Sequence, residues 1–394
     1  MGTVMKNLSD CRVLIVDDVK ANVDVLVQAL RGEYKLSVAL DGEGALRSAE
    51  KDTPDLVLLD IMMPGIDGYE VCRRLRAGEQ TRDIPVMFLT SLEDVQDKAR
   101  GFEIGGNDYL TKPFEILEVK ARVRSLVRAK AYADAVRAAQ ETELNIAREI
   151  QMGILASDLS SCTIGTGLDI HAVLKPAQHV GGDLYEVLRT DEDRVMVVLG
   201  DVSGKGIPAA LFMAVTVTLV RSMARQYDRP EEIVRRVSDE LASHNPRNMF
   251  VTMACLIYDL RSGQVTCANA GHNPLALFGP GKPPRFVFPS SGIVAGLFPG
   301  NDVRGEAMDL MPGDTLVLFS DGVTEAFSKE EELFGDERLL AQLGKEPGQN
   351  AAGTVSSILQ AVSRHAAGAP QSDDISIVAV RYSPNRSVAE SQKS

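Results

Sequence analysis

Five short apolar runs set the strongest limit on what residues 12–111 can fold into. They are "RVLIVDD", "YKLSVAL", "DLVLLD", "IPVMFLT" and "NDYLTKP", with a helical pattern between each and the next. Alternating strand and helix patterns predict a parallel sheet covered on both faces. In such sheets functional groups gather at the carboxyl ends of the strands. The residues found there are Asp17, Asp18, Asp60, Thr90 and Lys112.

Three carboxylates at one sheet edge repel each other unless a cation compensates. A hard ion with oxygen ligands, Mg²⁺, suits them. Lys112 adds a fixed positive charge and Thr90 a hydroxyl. A single strand-end aspartate reads as a helix cap. The full set reads as a site for a phosphoryl group on a carboxylate, with Asp60 as the nucleophile.

The stretches "VLIVDD", "PDLVLLDIMMPGIDGYE", "IPVMFLTS" and "GGNDYLTKPF" make residues 10–128 resemble a response-regulator receiver domain over essentially its full length. The resemblance implies a flavodoxin-like α/β domain with a five-stranded parallel sheet. It implies Asp60 as phosphoacceptor and Mg²⁺ bound by Asp18, Asp60 and the Met62 carbonyl, with Asp17 holding the metal's water shell. Thr90 and Tyr109 become the switch pair, Lys112 the phosphate contact, and the Lys112–Pro113 bond is expected to be cis.

From about Phe114 to Leu155 the pattern predicts one long helix, with no proline after Pro113. Val119, Val123, Leu126, Ala133, Val136, Ala147, Ile150 and Ile154 mark a broken apolar stripe, as in a short, weak coiled coil. Lys120, Arg122, Arg124, Arg128 and Lys130 make its first half basic. No aromatic residues are interleaved, so a solvated face beside a dimer seam is favoured over nucleic-acid or membrane binding. Residues 129–160 are taken as a helical linker.

Beyond Gly167 the apolar runs are joined mostly by turns. "LDIHAVLKP", "GGDLYEVL", "RVMVVLGD", "MFVTMACLIYDL", "QVTCANAG", "DTLVLFSDG" and "DISIVAVRY" read as strands, with helices at about 208–226, 230–245 and 349–366. Strands in runs with grouped helices predict an α+β domain of packed sheets and outer helices. The segment "VVLGDVSGKGIPAALFMAV" could cradle a phosphate, but its GxxxGK spacing is not that of a Walker A loop. Its GxGxxA match lacks the following acidic strand end that a dinucleotide site needs. The remaining reading is a metal on a carboxylate, because Asp183, Asp201, Asp321, Asp373 and Asp374 all stand at edges of apolar strands beside small residues. Several converging buried carboxylates are prohibitive without cations.

"EIQMGIL", "GGDLYE", "GDVSGKGIPAALFMA", "MFVTMACLIYDLRSGQVTCANAGHNP", "GDTLVLFSDGVTEA", "LFGDERL" and "SDDISIVAV" resemble the PPM (PP2C-like) serine/threonine phosphatases, in the bacterial branch that activates stress and sporulation sigma factors. The resemblance implies an αββα sandwich over 161–383, followed by a polar tail, 384–394. Asp183 and Asp201 would bridge two Mn²⁺ or Mg²⁺ ions, with the Val202 carbonyl, Asp321, Asp373 and Asp374 completing the site. Two ions about 4 Å apart would activate water and clamp the phosphate, so no protein nucleophile is required. Lys205 and Ser376 depart from the His and Thr common in relatives. The five histidines share no ligand spacing, and His272 is expected to pack a loop.

Other classes are disfavoured. The net charge of −13 argues against nucleic-acid binding, and no basic helix-turn-helix closes the chain. No apolar run reaches the ~18 residues of a membrane span, and the first residues show no signal-peptide core. Five scattered cysteines fit a reducing cytoplasm, free of disulfides or zinc. The sequence thus predicts a two-component response regulator whose phosphorylation by a sensor histidine kinase controls a metal-dependent protein phosphatase. It would dimerise through the receiver and linker helix and act on a phosphorylated anti-anti-sigma-type (STAS) protein. The rival is a non-catalytic PPM-like module that sequesters a partner.

Overall fold

The computed structural model describes residues 6–91, 95–155, 158–345 and 348–384. Of the polar tail only Pro384 is included, and the rest lies outside the described residues. The chain divides into two units, Met1–Glu143 and Leu144–Ser394.

The first unit alternates β1 (Arg12–Val16), α1 (Lys20–Leu30), β2 (Lys35–Ala39), α2 (Gly42–Lys51), β3 (Leu56–Asp60), α3 (Gly68–Ala77), β4 (Val86–Thr90), α4 (Val95–Glu103) and β5 (Asp108–Thr111). The strands form one sheet, ordered β2-β1-β3-β4-β5, and every neighbouring pair is parallel. β3 and β4 are buried at every position. Their continuous apolar runs therefore face helices on both sides. On one face Leu14, Leu59 and Phe88 pack with Ala45, Cys72 and Leu75. On the other Ile15, Leu58 and Leu89 pack with Leu26, Val119 and Val123. The chain leaves β1 toward β2 on one side and has β3 on the other, which opens a crevice at the carboxyl ends of β1 and β3. Asp41 and Asp67 cap α2 and α3, accepting from Gly44 N at 2.6 Å and Glu70 N at 2.8 Å.

Helix α5 (Ile116–Ile154) begins in the first unit and ends in the second. Its expected stripe splits in two: Val119 and Val123, with Val127 beside them, are fully buried in the first unit's core, whereas Val136 and Ile150, with neighbouring Ile146, are exposed. Its basic residues mostly form ion pairs: Lys120 and Arg124 with Glu33, Arg122 with Asp108 and Glu118, and Lys130 with Asp134.

The second unit contains α6 (Ser160–Thr163), β6 (Leu168–Lys175), β7 (Leu184–Arg189), β8 (Arg194–Val202), α7 (Ile207–Met223), α8 (Pro230–Ser243), β9 (Val251–Asp259), β10 (Gln264–Ala270), β11 (Leu275–Gly279), β12 (Lys282–Val287), β13 (Gly305–Asp309), β14 (Thr315–Phe319), α9 (Asp321–Thr324), α10 (Gly335–Leu343), α11 (Ala351–Ala366) and β15 (Ile375–Tyr382). Two antiparallel sheets form, β13-β10-β9-β8-β7 and β12-β11-β14-β15-β6. One core joins Leu316, Leu318 and Val380 to Val198, Leu256, Met213 and Val237, uniting both sheets with α7 and α8. A second packs Val317, Phe319 and Ile377 against Leu339, Val355 and Ile358 of α10 and α11. The layers are helices, sheet, sheet, helices.

Strands β11 to β13 and helix α10 escaped the sequence reading. β12 carries Pro283 and Pro284, which a strand tolerates at a sheet edge, and β12 is an edge. β13, also an edge, is mostly exposed and has no apolar alternation. All five cysteines are buried and free. No helix among the described residues is long and apolar enough to cross a membrane.

Candidate phosphoacceptor pocket and candidate metal centre

The first unit gathers its acidic residues where the crevice opens. Asp17 and Asp18 follow β1, Asp60 ends β3, Thr90 ends β4 and Lys112 follows β5. Asp17, Asp18 and Asp60 each offer a carboxylate oxygen within 4.8 Å of the others. The Lys112 ammonium sits 2.8 Å from Asp17 Oδ2 and 2.8 Å from Asp60 Oδ2. Asp17 also accepts from Val19 N at 2.9 Å and from Asn22 Nδ2 at 3.0 Å. Burial pushes the Asp60 carboxyl above its ordinary value; Lys112 opposes the shift and Asp17 adds to it. Burial works against the Lys112 ammonium too, yet its bonds to Asp17 and Asp60 outweigh it and raise its pKa. An all-oxygen cluster with one lysine leaves room for a hard divalent cation.

Met62 is exposed, and its N–H reaches Asp60 Oδ1 at 3.4 Å. Thr90 and Tyr109 are buried. The Tyr109 ring packs 5.4 Å from Phe88 and 5.1 Å from Phe102. Gly101 permits this, because a Cβ there would collide with Tyr109 Oη. The Lys112–Pro113 bond is cis.

In the second unit Asp183 precedes β7, Asp201 and Val202 end β8, Asp321 opens α9 after β14, and Asp373 and Asp374 precede β15. Both sheets therefore contribute. Asp183 is 1% exposed, and neither carboxylate oxygen has a hydrogen-bond partner. Burial drives its carboxyl well above the usual range, and Asp201 and Asp374 push it further. The nearby Ser376 and Ser320 hydroxyls oppose the shift without overcoming it; Ser320 donates to the Asp374 carbonyl at 3.1 Å. Asp201 is pushed up to about 7, first by burial and then by Asp321 and Asp373. Asp321 is raised by burial, Glu325 and Asp373. No three of these carboxylates bring ligand atoms within 4.8 Å among the described residues.

The loops explain why glycines flank the acids. Gly204 and Gly206 adopt φ of 89° and 74°, which turns the chain from β8 into α7. A Cβ at Gly182 would lie 2.7 Å from the Val202 carbonyl, and one at Gly181 would strike the Asp374 carboxylate. Asp374 itself is committed to this loop: Oδ1 accepts from Ala177 N and Oδ2 from Gly182 N, both at 2.8 Å. Lys205 bonds Asp373 Oδ2 at 2.9 Å and the Ser372 carbonyl at 2.8 Å. His272 is buried and pushed down to about 4. Its Nδ1 meets the Thr252 hydroxyl at 2.8 Å, which reaches the Asp201 carbonyl at 3.4 Å, so it packs beneath the end of β8. An orphaned buried carboxylate, a second one raised in pKa and an oxygen-only donor set fit hard divalent cations.

Sequence reasoning missed Asn22, Thr252, Gln151 and Arg221, which act through contacts between elements. Gln151 and Thr252 lie inside stretches that carried the resemblance, yet no role was read for them, and Asn22 and Arg221 stand in helical patterns that signal no contact.

Two family models match the chain: "Response regulator receiver domain" over residues 13–124 and "Stage II sporulation protein E (SpoIIE)" over residues 191–383. Asp183 precedes the second interval. Among curated proteins, the response regulator PleD of Caulobacter vibrioides is 48% identical over 127 residues, 32% of this chain and 28% of PleD. The transcriptional regulator RpaA of Synechocystis is 47% identical over 118 residues, 30% of this chain and 49% of RpaA. The chain thus spans less than half the length of either relative. The SiaA-PP2C domain of Pseudomonas aeruginosa matches in fold at TM-score 0.57 and 22% identity, over 63% of this chain and 99% of that domain. The PP2C phosphatase domain of SpoIIE from Bacillus subtilis matches at TM-score 0.50 and 19% identity, over 56% of this chain and 63% of that one. The chain joins a receiver domain, through a long helix, to a SpoIIE-type domain of PP2C-like fold.

Proposed function

We propose that the chain is a divalent-metal-dependent phosphoprotein phosphatase controlled by phosphorylation of Asp60. The observation that carries the phosphatase reading is Asp183, whose two buried, unpartnered oxygens stand beside Asp201. Such a pair is stable as anions only against cations. We assign residues 10–128 to the receiver, 129–160 to the linker and 161–383 to the phosphatase.

In the receiver, an Asp60 oxygen attacks phosphorus on the phosphohistidine of a sensor kinase, and the P–N bond breaks. Asp17, Asp18, Asp60 and the Met62 carbonyl would hold Mg²⁺, and Lys112 shifts from the carboxylates to the new phosphoryl oxygens. Thr90 and Tyr109 answer that change. In the second domain Asp183, Asp201, the Val202 carbonyl, Asp321 and Asp373 would hold two Mn²⁺ or Mg²⁺ ions. When bound, these supply Lewis acidity and activated water for in-line attack at phosphorus. Asp374 holds the Gly181–Gly182 loop beneath Asp183, accepting from Gly182 N, and this is the role we assign it. Lys205 lies beside Asp373, within reach of a substrate phosphate.

The substrate we infer is a phosphoserine or phosphothreonine on an anti-anti-sigma-type (STAS) protein, in a cytoplasmic partner-switching pathway. Exposed Val136, Ile146 and Ile150 on α5 support pairing of two copies through the linker. One observation favours the rival sequestering module: the Lys205 ammonium already neutralises Asp373.

The test is Mn²⁺-dependent phosphate release from a phosphoserine protein or p-nitrophenyl phosphate. The phosphatase reading expects release by the native protein and its loss in Asp201→Asn. No release by the native protein, with Mn²⁺ binding established, would favour the sequestering module.

A further inference from the structure

We propose that Gln151 is a positioning residue for Asp183, through which the end of α5 sets the geometry of the metal loop. The inference rests on the reading of Asp183 as a metal ligand.

Gln151 lies in the last turn of α5 and is 4% exposed. Its side-chain amide grips both backbone groups of a single residue. Nε2 donates to the Gly181 carbonyl at 2.6 Å, and Oε1 accepts from Gly181 N at 3.2 Å. Gly181 stands two places before Asp183 and has no side chain to anchor it. The loop is otherwise held by Asp374, which accepts from Gly182 N. It is therefore clamped from two directions, by the strand-end aspartate of one sheet and by the amide of α5.

A second tie lies on the other side of Asp183. Arg221 of α7 donates from Nη2 to the Ile154 carbonyl at the end of α5, at 2.6 Å, and from Nε to Glu186 of β7 at 2.8 Å. Leu155, just past the helix end, is buried. Asp183 is thus bracketed by Gly181 and Glu186, both tied to the last turn of α5. Moving a helix by one residue shifts its side chains by about 1.5 Å along the axis and about 100° around it. A shift of that size takes the Gln151 amide out of reach of Gly181. Buried backbone groups that lose their partners do not keep their place.

Positioning groups behind a metal ligand typically change metal affinity by about 10- to 100-fold. The experiment is an Mn²⁺ titration of the full chain, read by calorimetry, for the native protein, Gln151→Met, Gln151→Glu and Asp183→Asn. Gln151→Met keeps the shape and loses both hydrogen bonds. Gln151→Glu keeps the acceptor for Gly181 N and loses the donor. The expected order is native affinity, an intermediate loss in Gln151→Glu, a loss of about tenfold or more in Gln151→Met, and the largest loss in Asp183→Asn. Gln151→Met that folds and binds Mn²⁺ like the native protein, while Asp183→Asn does not, overturns the proposal alone. If Gln151→Met does not fold, native affinity in Gln151→Glu overturns it instead. Native affinity in Asp183→Asn overturns the metal reading itself, and the proposal with it.

Discussion

The two acidic sites solve the same electrostatic problem in opposite ways. In the receiver, Asp17, Asp18 and Asp60 converge tightly, and Lys112 sits between two of them with an ion pair to each. That pocket holds part of its counter-charge before any metal arrives. In the PP2C-like domain the carboxylates stand further apart, Lys205 reaches only Asp373, and Asp183 is sealed from water without a hydrogen bond. A site with its own cation can exist in two states and switch between them. A site with an orphaned carboxylate depends on what binds it. The contrast fits the proposed roles, a switch in the receiver and a metal-completed site in the second domain.

The largest effect that would sharpen this contrast is on turnover. Asp201→Asn is expected to cut phosphate release about a thousandfold or more, because metal ions contribute several kcal/mol of transition-state stabilisation. Retention of a tenth of the native rate would break the comparison on the side of the second domain. Next comes the balancing lysine. Lys112→Met leaves Asp17 and Asp60 facing each other, and removing one partner of a mostly buried pair costs about 2–3 kcal/mol here, less than for a wholly buried pair. Urea unfolding without metal measures it, and added Mg²⁺ is expected to restore part of the loss.

A smaller effect follows from the orphaned acid. In EDTA at pH 8, Asp183→Asn is expected to stabilise the protein by about 1–2 kcal/mol, because it removes a buried acid with no partner. Asp60→Asn is expected to do little, since Lys112 keeps Asp17. Equal effects of the two variants would erase the distinction drawn here.

The smallest effect is in pH. Asp201 titrates near 7 in the folded chain and Asp183 is raised as well, against about 3.9 for an unfolded aspartate. Between those values the folded state holds protons that the unfolded chain has lost. Without metal, this contribution to stability is full below about pH 4, falls as pH rises and levels off above the folded values. Cations must displace those protons. The rise in unfolding midpoint on adding Mn²⁺ should therefore be larger at pH 8 than at pH 6, by up to about 1.4 kcal/mol for the Asp201 proton.

The receiver pocket was legible because its residues sit at strand ends in chain order, where one rule about parallel sheets finds them. The acids of the second domain were legible as strand-edge carboxylates beside small residues. Their inequality was not: nothing in "SDD" says that Asp374 holds a loop while Asp373 faces Lys205. The first half of the linker stripe proved to be receiver core, because an amphipathic pattern does not say what covers it. Strands β12 and β13 were hidden by prolines and exposure at sheet edges; β11, a short buried run of five residues, was passed over although it is apolar throughout. Gln151 and Arg221 were hidden because each works through a neighbour from another part of the chain.

The most direct test of the account is the rate of Mn²⁺-dependent phosphate release with and without beryllofluoride, which stands in for the phosphoryl group on Asp60, in the native protein and in Asp60→Asn. The account predicts that beryllofluoride changes the native rate and leaves the rate of Asp60→Asn unchanged. An unchanged native rate, or the same change in both proteins, would contradict control of the PP2C-like domain by the receiver.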